Sequence, residues 1–434
     1  MTEKVDVVIV GAGLAGLGCA YHLAGAGLDV LVVERGDYPG SKNVSGGRLY
    51  LEPVRRFYPE LFGPEGLAQV PFERAVVKER LTLLAEAGAT SVELHAPSWS
   101  GPQPHSVTVL RGKFDAWLAE QATGRGAMVV PRYKVDELVW EGSQVVGIVS
   151  AGDEIRADVV AAADGALSFI AERAGLRGRH DPDHFALGMK EVIELPGGTL
   201  EERFGVEARD GVAQLYFGSV TQGVMGGGFV YTNRESLSIG MVLGMGSLSG
   251  RSSALQAHEL LESFKARPEI GPLIADGRVL EYSAHAIPEA SHQVMPRLVC
   301  DGLLVLGDAA GLALNLGVTV RGMDLALASG AMAARAILDA RRERDFSARS
   351  LGRYEAALAG SFVQRDLRTF HRMHAFLHNP RLYGDYPELA MGLLQGLLHI
   401  GEGPKPRLFG TALRALRRVP PHHLLRDLWQ ARKL

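Results

Sequence analysis

Gly11, Gly13 and Gly16 stand at G-x-G-x-x-G spacing directly after an apolar run at 5–10. Each glycine suits one role. Gly11 allows a tight turn, Gly13 the approach of backbone to a pyrophosphate, and Gly16 close helix–strand packing. The helix expected behind them presents unpaired N–H groups and partial positive charge to phosphates. A second apolar run at 28–33 ends in Glu34, 23 residues after Gly11, where a carboxylate can accept hydrogen bonds from a ribose. The spacing alone is weak. With a strand before it, a helix after it and the acid at the right distance, it predicts a dinucleotide site. These residues leave the choice between FAD and a nicotinamide open.

Positioning such a site takes a parallel sheet, and the pattern supplies one. Short buried-strand candidates recur up to Asp164 and again at 303–306, with an amphipathic helix at 111–122 carrying Phe114, Trp117 and Leu118 on one face. Stretches at 81–110 and 187–244 alternate like an antiparallel sheet face. Helices are expected at 253–267, at 321–342 and at 351–378. The fold class is α/β, a Rossmann-like nucleotide-binding domain (1–75, 106–185 and 282–345) interrupted by a β-rich domain (76–105 and 186–281). Residues 346–434 form a helical C-terminal region with a basic tail.

Three further segments favour FAD. Asp164-Gly165 ends one strand, and Gly307-Asp308 ends another; a carboxylate beside a glycine turn suits a ribityl hydroxyl. The Gly317–Gly322 loop opens the long helix, where free N–H groups could face a reduced flavin. With Arg111, these segments resemble the p-hydroxybenzoate-hydroxylase-like flavoproteins. A second glycine loop, Gly244, Gly246 and Gly250, has G-x-G-x-x-x-G spacing and no following strand with a ribose-binding acid. It is expected to be a sheet-to-helix loop rather than a nicotinamide site.

Composition narrows the classes. A chain of 434 residues can hold two or three domains. With 47% hydrophobic and 22% charged residues it matches an ordinary soluble protein. The most apolar stretch, 303–320, contains Asp308, Asn315 and three glycines, so no membrane span is expected. No leader peptide is visible, with charges at 3, 4 and 6. Cys19 and Cys300 are the only two cysteines; both read as buried small hydrophobes, in keeping with a cytoplasmic setting. Two thiols cannot hold a four-thiolate [4Fe–4S] cluster, so such a cluster would lie on another chain. Net charge is −3, yet 404–434 holds eight basic residues and one acid, Asp427. Such a tail suits an anionic membrane, an acidic partner or plain solvation. His371, His374 and His378 share a helical spacing. Without an acid placed as in HExxH, a packed or partner-facing helix is expected, and no metal.

The segments PGSKNVSGGRLY (39–50), LGMKEVIELP (187–196), GGGFVYTNRESLSIGMVLG (226–244), EYSAHAIPE (281–289) and GDAAGLALNLGVTVRGMDLA (307–326) resemble the FixC/EtfC family. These are flavoprotein subunits similar to electron transfer flavoprotein–ubiquinone oxidoreductase. The resemblance spans nearly the whole chain, and PGSKNVSGG and VTVRGMD are its most specific parts. It implies an FAD oxidoreductase that takes electrons from a two-subunit electron transfer flavoprotein and passes them to a membrane quinone. A ferredoxin-like [4Fe–4S] subunit would work beside it, and the partner flavoprotein would split electrons from NADH. Related single-chain oxidoreductases carry a cluster in a C-terminal extension, which here has no cysteine. The implied location is peripheral, on the cytoplasmic face of the inner membrane. No nucleic-acid partner is expected.

Carried over by residue, Gly11, Gly13, Ala15, Gly16, Glu34 and Arg35 match the adenosine and pyrophosphate contacts. Ser41, Asn43, Ser45, Gly46 and Gly47 match the loop beside the flavin ring. Arg111, Asp164, Gly165, Gly307, Asp308, Gly317, Gly322 and Met323 match the remaining FAD contacts, and Val135 a backbone contact to adenine. Gly226, Gly227 and Phe229 match a quinone-facing segment. No acid–base dyad is required, because FAD carries the chemistry. The chain departs from its relatives at Glu289-Ala290-Ser291, where many have an acid followed by glycines. Segments 389–401 and 408–419 are candidates for lying on a membrane; core packing and a solvated face explain them equally well. An FAD monooxygenase, a geranylgeranyl-type reductase or an assembly subunit with a structural flavin would share the fold.

Overall fold

The computed structural model describes residues 3–43, 47–250, 256–289 and 291–434, the side chains of Glu3, Ser291 and Gln293 excepted. Two sheets organise the chain.

Among the described residues the first sheet has eight strands. Its centre is parallel: Leu303–Val305, Asp153–Ala162, Glu3–Val10, Val30–Val33 and Met128–Val130, in that order. Val7, Val8 and Ile9 and all of Val30–Val33 are buried, as parallel strands covered on both faces must be. Each such side chain contributes about 1.5–3 kcal/mol of transfer free energy. The hairpin Glu137–Glu141 and Gln144–Ser150 extends the sheet antiparallel to Asp153–Ala162.

Helix Leu14–Gly25 packs on this sheet and against the long helix Met323–Glu343. The helices approach closely because Gly330 faces the Ala15 carbonyl; a Cβ there would collide with it. Gly16 is equally confined, since a Cβ would run into the Gly11 carbonyl. Tyr58 is fully buried beside this pair and donates to the Leu327 carbonyl at 2.7 Å.

Among the described residues the second sheet has nine strands. Its path runs Arg278–Pro288, Phe185–Glu194, Ser236–Gly244, Gly226–Thr232, Asp210–Gly218, Ala75–Ala85, Ser106–Val109 and Gly47–Tyr50, with Gly88–His95 pairing on Ala75–Ala85. All neighbours are antiparallel except Asp210–Gly218 with Ala75–Ala85. Helix Ala257–Lys265 buries Leu260, Leu261 and Phe264 on one face of it.

Three boundaries differ from expectation. Gly47–Tyr50 pairs with Ser106–Val109 and joins the second sheet, although both strands were expected in the nucleotide-binding part. The boundary expected at 281/282 cuts through strand Arg278–Pro288, which pairs along its length with Phe185–Glu194. The helix expected at 351–378 is broken into Arg353–Gly360, Phe362–Thr369 and Met373–Leu377. Ser361 causes the first break: its hydroxyl accepts from the Val363 amide at 3.1 Å and donates to the Leu358 carbonyl at 2.8 Å. A serine that bonds its own backbone in this way favours a cap over a helix interior.

Candidate functional site

The carboxyl ends of the parallel strands and one face of the second sheet enclose a cleft of about 440 Å³. Its wall includes Val10, Val33, Ala163 and Leu306, the strand ends where open α/β sheets hold ligands.

The glycine loop is built as its spacing predicts. Gly11 sits at φ +107°, a region that side chains rarely adopt. Gly13 caps helix Leu14–Gly25, and a Cβ there would meet nothing within 4 Å. That open space lies at a helix N-terminus. Glu34 closes the loop: its carboxylate accepts from the Ala12 amide at 3.0 Å and the Gly36 amide at 2.6 Å.

Arg111 begins helix Arg111–Thr123 and is aimed by Asp115 one turn on, with two N–O distances of 2.8 Å. Asn43 donates to the same buried carboxylate at 2.6 Å. Asn43 and Arg111 are thereby tied to one acid.

Most expected site residues line this one cleft: Gly11, Gly13, Ala15, Glu34, Arg35, Asn43, Gly47, Arg111, Val135, Asp164, Gly165, Asp308, Gly317, Gly322 and Met323. Gly226, Gly227 and Phe229 line it from the second sheet. Gly16, Ser41 and Gly307 stand behind the wall. Gly307 has φ +58°, and a Cβ there would press on Ala15; Ser41 accepts from the Tyr38 amide. Ser45 and Gly46 lie outside the described residues. Asp164 lines the cleft and also caps a helix. Its carboxylate accepts from the Ser168 hydroxyl at 2.6 Å and the Ile170 amide at 3.1 Å, holding helix Phe169–Arg173.

Several polar groups in the wall escaped sequence reasoning. Lys190 sits mid-strand in Phe185–Glu194. Burial presses its pKa well below the ordinary lysine range; Arg111 adds to this and Glu281 opposes it. His285 comes from the neighbouring strand and is lowered by burial, with Asp308 opposing and Arg111 and Arg35 assisting. Burial raises Asp308, against Arg111 and His285. Glu289, Asn315 and Tyr383 complete this side. The available signal was a charged or polar residue at an otherwise buried strand position, as at Lys190.

The histidines at 371, 374 and 378 do not share one helix, since His371 precedes Met373–Leu377. His374 Nε2 lies 3.0 Å from the Asp183 carbonyl and His378 Nδ1 2.9 Å from the His374 carbonyl. Among the described residues no His, Cys, Asp and Glu group is arranged to hold a metal. The glycine loop at 244–250 is a sheet-to-helix junction, from Ser236–Gly244 into Met245–Ser249.

Comparison with known proteins agrees with this geometry. Residues 6–99 match the FAD dependent oxidoreductase model, and 373–434 match the ETF-QO/FixC family C-terminal domain. The protein FixC of Escherichia coli K12 is 43% identical over 98% of both chains. The chain belongs to the FixC/electron transfer flavoprotein–quinone oxidoreductase family. A probable electron transfer flavoprotein-quinone oxidoreductase of the same strain, YdiS, is 41% identical over 98% of this chain and 97% of its own. Among solved structures, a geranylgeranyl bacteriochlorophyll reductase-like protein from Thermoplasma acidophilum overlays with a TM-score of 0.72 at 21% identity, covering 96% of each chain. The halogenase PltM, solved with FAD, gives 0.62 at 16% identity, over 90% of this chain and 80% of its own. Both show the shared fold.

Like its family, this chain is an FAD-dependent oxidoreductase. The cleft fits the cofactor. It has open space at Gly13, Gly165 and Gly322, where a Cβ would meet nothing within 4 Å. Its lining includes the cationic Arg35 and Arg111 and the carboxyl groups of Glu34 and Asp308, residue types able to meet phosphates and sugar hydroxyls. Among the described residues of this FixC-family chain no helix is long and apolar enough to cross a membrane.

Proposed function

We propose that this chain relays electrons from a two-subunit electron transfer flavoprotein to a membrane quinone. Bound FAD supplies the redox chemistry. The chain's own residues bind and orient it: the Gly11–Gly13 loop at the pyrophosphate, Glu34 at the adenosine ribose, Asp308 at the ribityl chain, and Arg111 as placed by Asp115.

The observation that carries the proposal is the apolar part of the same cleft. Phe217, Met225, Phe229, Leu377 and Tyr383 surround Gly226, Gly227 and Gly228. The three glycines allow close packing, with the Val242 and Tyr216 carbonyls against Gly226 and Gly227 and the Phe264 ring against Gly228, while their backbone lines the cleft. An apolar chamber with few polar groups suits a lipophilic quinone headgroup.

A second feature supports membrane docking. Leu398, Ile400, Leu408, Phe409, Leu425 and Trp429 are exposed on and beside the C-terminal helices Asp385–Leu398, Leu408–Leu416 and Pro421–Ala431. Basic residues accompany them, as in helices that lie in a membrane interface. The site would face the cytoplasmic side. The partner flavoprotein would draw on NADH and divide its electrons between this branch and a low-potential acceptor. A ferredoxin-like subunit would carry the cluster this chain cannot hold.

Steady-state quinone reduction in liposomes, driven by reduced partner flavoprotein, tests the proposal. Turnover that requires both this chain and quinone is expected. Turnover with NAD(P)H, oxygen and an aromatic substrate but not with quinone would replace it with a monooxygenase. Reduction of a prenyl double bond would replace it with a geranylgeranyl-type reductase.

A further inference from the structure

Glu289 is 8% exposed, yet it lines the cleft beside Tyr383. It follows strand Arg278–Pro288 directly, and its amide donates to the His184 carbonyl at 2.9 Å. Its two carboxylate oxygens lie 3.3 and 3.4 Å from Asn315 Nδ2. Asn315 in turn accepts from the Gly317 amide at 2.9 Å. Glu289 is thus fixed to the 315–321 hairpin that lines the same chamber. The cofactor contacts described above make no use of this acid, which lines the cleft together with the apolar cluster of Met225, Leu377 and Tyr383.

We infer that Glu289 is the proton-transfer residue of the apolar chamber, serving the carbonyl oxygen of a quinone seated against Gly226–Gly228. The assignment rests on the quinone proposal above. Reducing a quinone to a quinol adds two electrons and two protons. The electrons come from the reduced cofactor. Protonated Glu289 gives one proton to a quinone oxygen and becomes a carboxylate. Water at the open side of the cleft returns a proton to the carboxylate, and a second transfer completes the quinol. An apolar chamber excludes bulk water, so it needs such a group.

The environment favours proton transfer. Burial pushes the Glu289 carboxyl up to about 7, while the hydrogen bond from Asn315 opposes the rise. A proton-transfer group is most effective with its pKa near the working pH. The titratable groups facing it are few. Tyr383 is pushed up by burial, senses the Glu289 charge, and donates its hydroxyl proton to the Leu377 carbonyl at 2.6 Å. His184 lies behind the backbone bond, with His374 a ring distance of 6.3 Å further out. Burial lowers His374, so it favours the neutral form.

The test uses FAD-loaded full-length protein. Glu289→Gln keeps the shape and an acceptor for Asn315. Three readouts are taken: binding of a redox-inert quinone analogue, the infrared C=O stretch of protonated carboxyls against pH, and single-turnover reoxidation by a soluble quinone from about pH 5.5 to 9, a span that brackets the useful range of such a group. Glu289→Gln should bind the analogue as the wild type does. It should lose one carboxyl signal that titrates near neutrality. It should reoxidise on the order of 100-fold more slowly, without the wild type's fall in rate as pH rises through the Glu289 pKa. Glu289→Asp should restore part of the rate. Asn315→Ala removes a bond to the anion, so the pH break should move upward. A variant that keeps the wild-type rate and pH break, or an infrared titration unchanged by it, overturns the assignment. Wild-type protein that quinone fails to reoxidise overturns the parent proposal and this assignment with it.

Discussion

Arg111 and Asp115 stand one helical turn apart, joined by two hydrogen bonds of 2.8 Å, with the carboxylate fully buried. The acid sets where the guanidinium points, and it holds Asn43 as well. Asp115→Ala would leave Arg111 without its partner inside the fold. Removing one member of a buried pair costs about 3–5 kcal/mol. Because Arg111 keeps some solvent contact, the lower end is expected in denaturant unfolding. FAD titration should weaken at least tenfold.

Gly13 and Gly16 should respond differently to the same change. A Cβ at Gly13 enters open space, whereas one at Gly16 meets the Gly11 carbonyl. Gly13→Ala should leave the apoprotein's melting temperature nearly unchanged and weaken FAD binding. Gly16→Ala should lower the melting temperature of the apoprotein itself. Thermal unfolding with and without FAD separates the two.

Arg381 holds the last helix by a bidentate pair to Asp427, both distances 2.7 Å, and Tyr386 donates to the same carboxylate. These bonds hold Asp427 well below the ordinary carboxylate range. Asp427 is the one acid in 404–434, so its use inside the fold leaves the outer surface basic. Flotation with anionic liposomes should be strong at low salt and weaker at high salt. Leu408→Ser with Phe409→Ser should reduce it at both. Equal flotation of a protein lacking 404–434 would exclude the tail.

His22 supplies a pH dependence of stability. Burial and Arg125 lower it to about 4, against a backbone hydrogen bond at Phe57. The unfolded chain therefore binds the proton first, at about pH 6.5. Its contribution is complete above that pH and is lost as pH falls toward 4, by up to about 1.4 kcal/mol per pH unit. His22→Phe, which keeps a ring against Tyr58, should flatten this limb when unfolding is compared at about pH 7, 6 and 5.

The glycine turn was legible because it is local. Gly11, Gly13 and Glu34 need only a strand, a turn, a helix and the next strand. Other parts of the site are assembled by pairing over long separations. Lys190 and His285 line one cleft only because Phe185–Glu194 pairs with Arg278–Pro288. Tyr383 reaches Glu289 from the C-terminal region. Asp164 has the residue type expected at a strand end, and it also accepts from Ser168 and the Ile170 amide. No spacing rule says that such a carboxylate also holds its own helix. The break at Ser361 was hidden because the apolar period continues across it.

The electron relay is tested most directly by anaerobic stopped-flow absorbance of the FAD in this chain. Reduced partner flavoprotein should bleach it, and a soluble quinone mixed in next should restore the colour within the turnover time. Reduction by the partner without reoxidation by quinone, or no reduction by the partner at all, would contradict the relay.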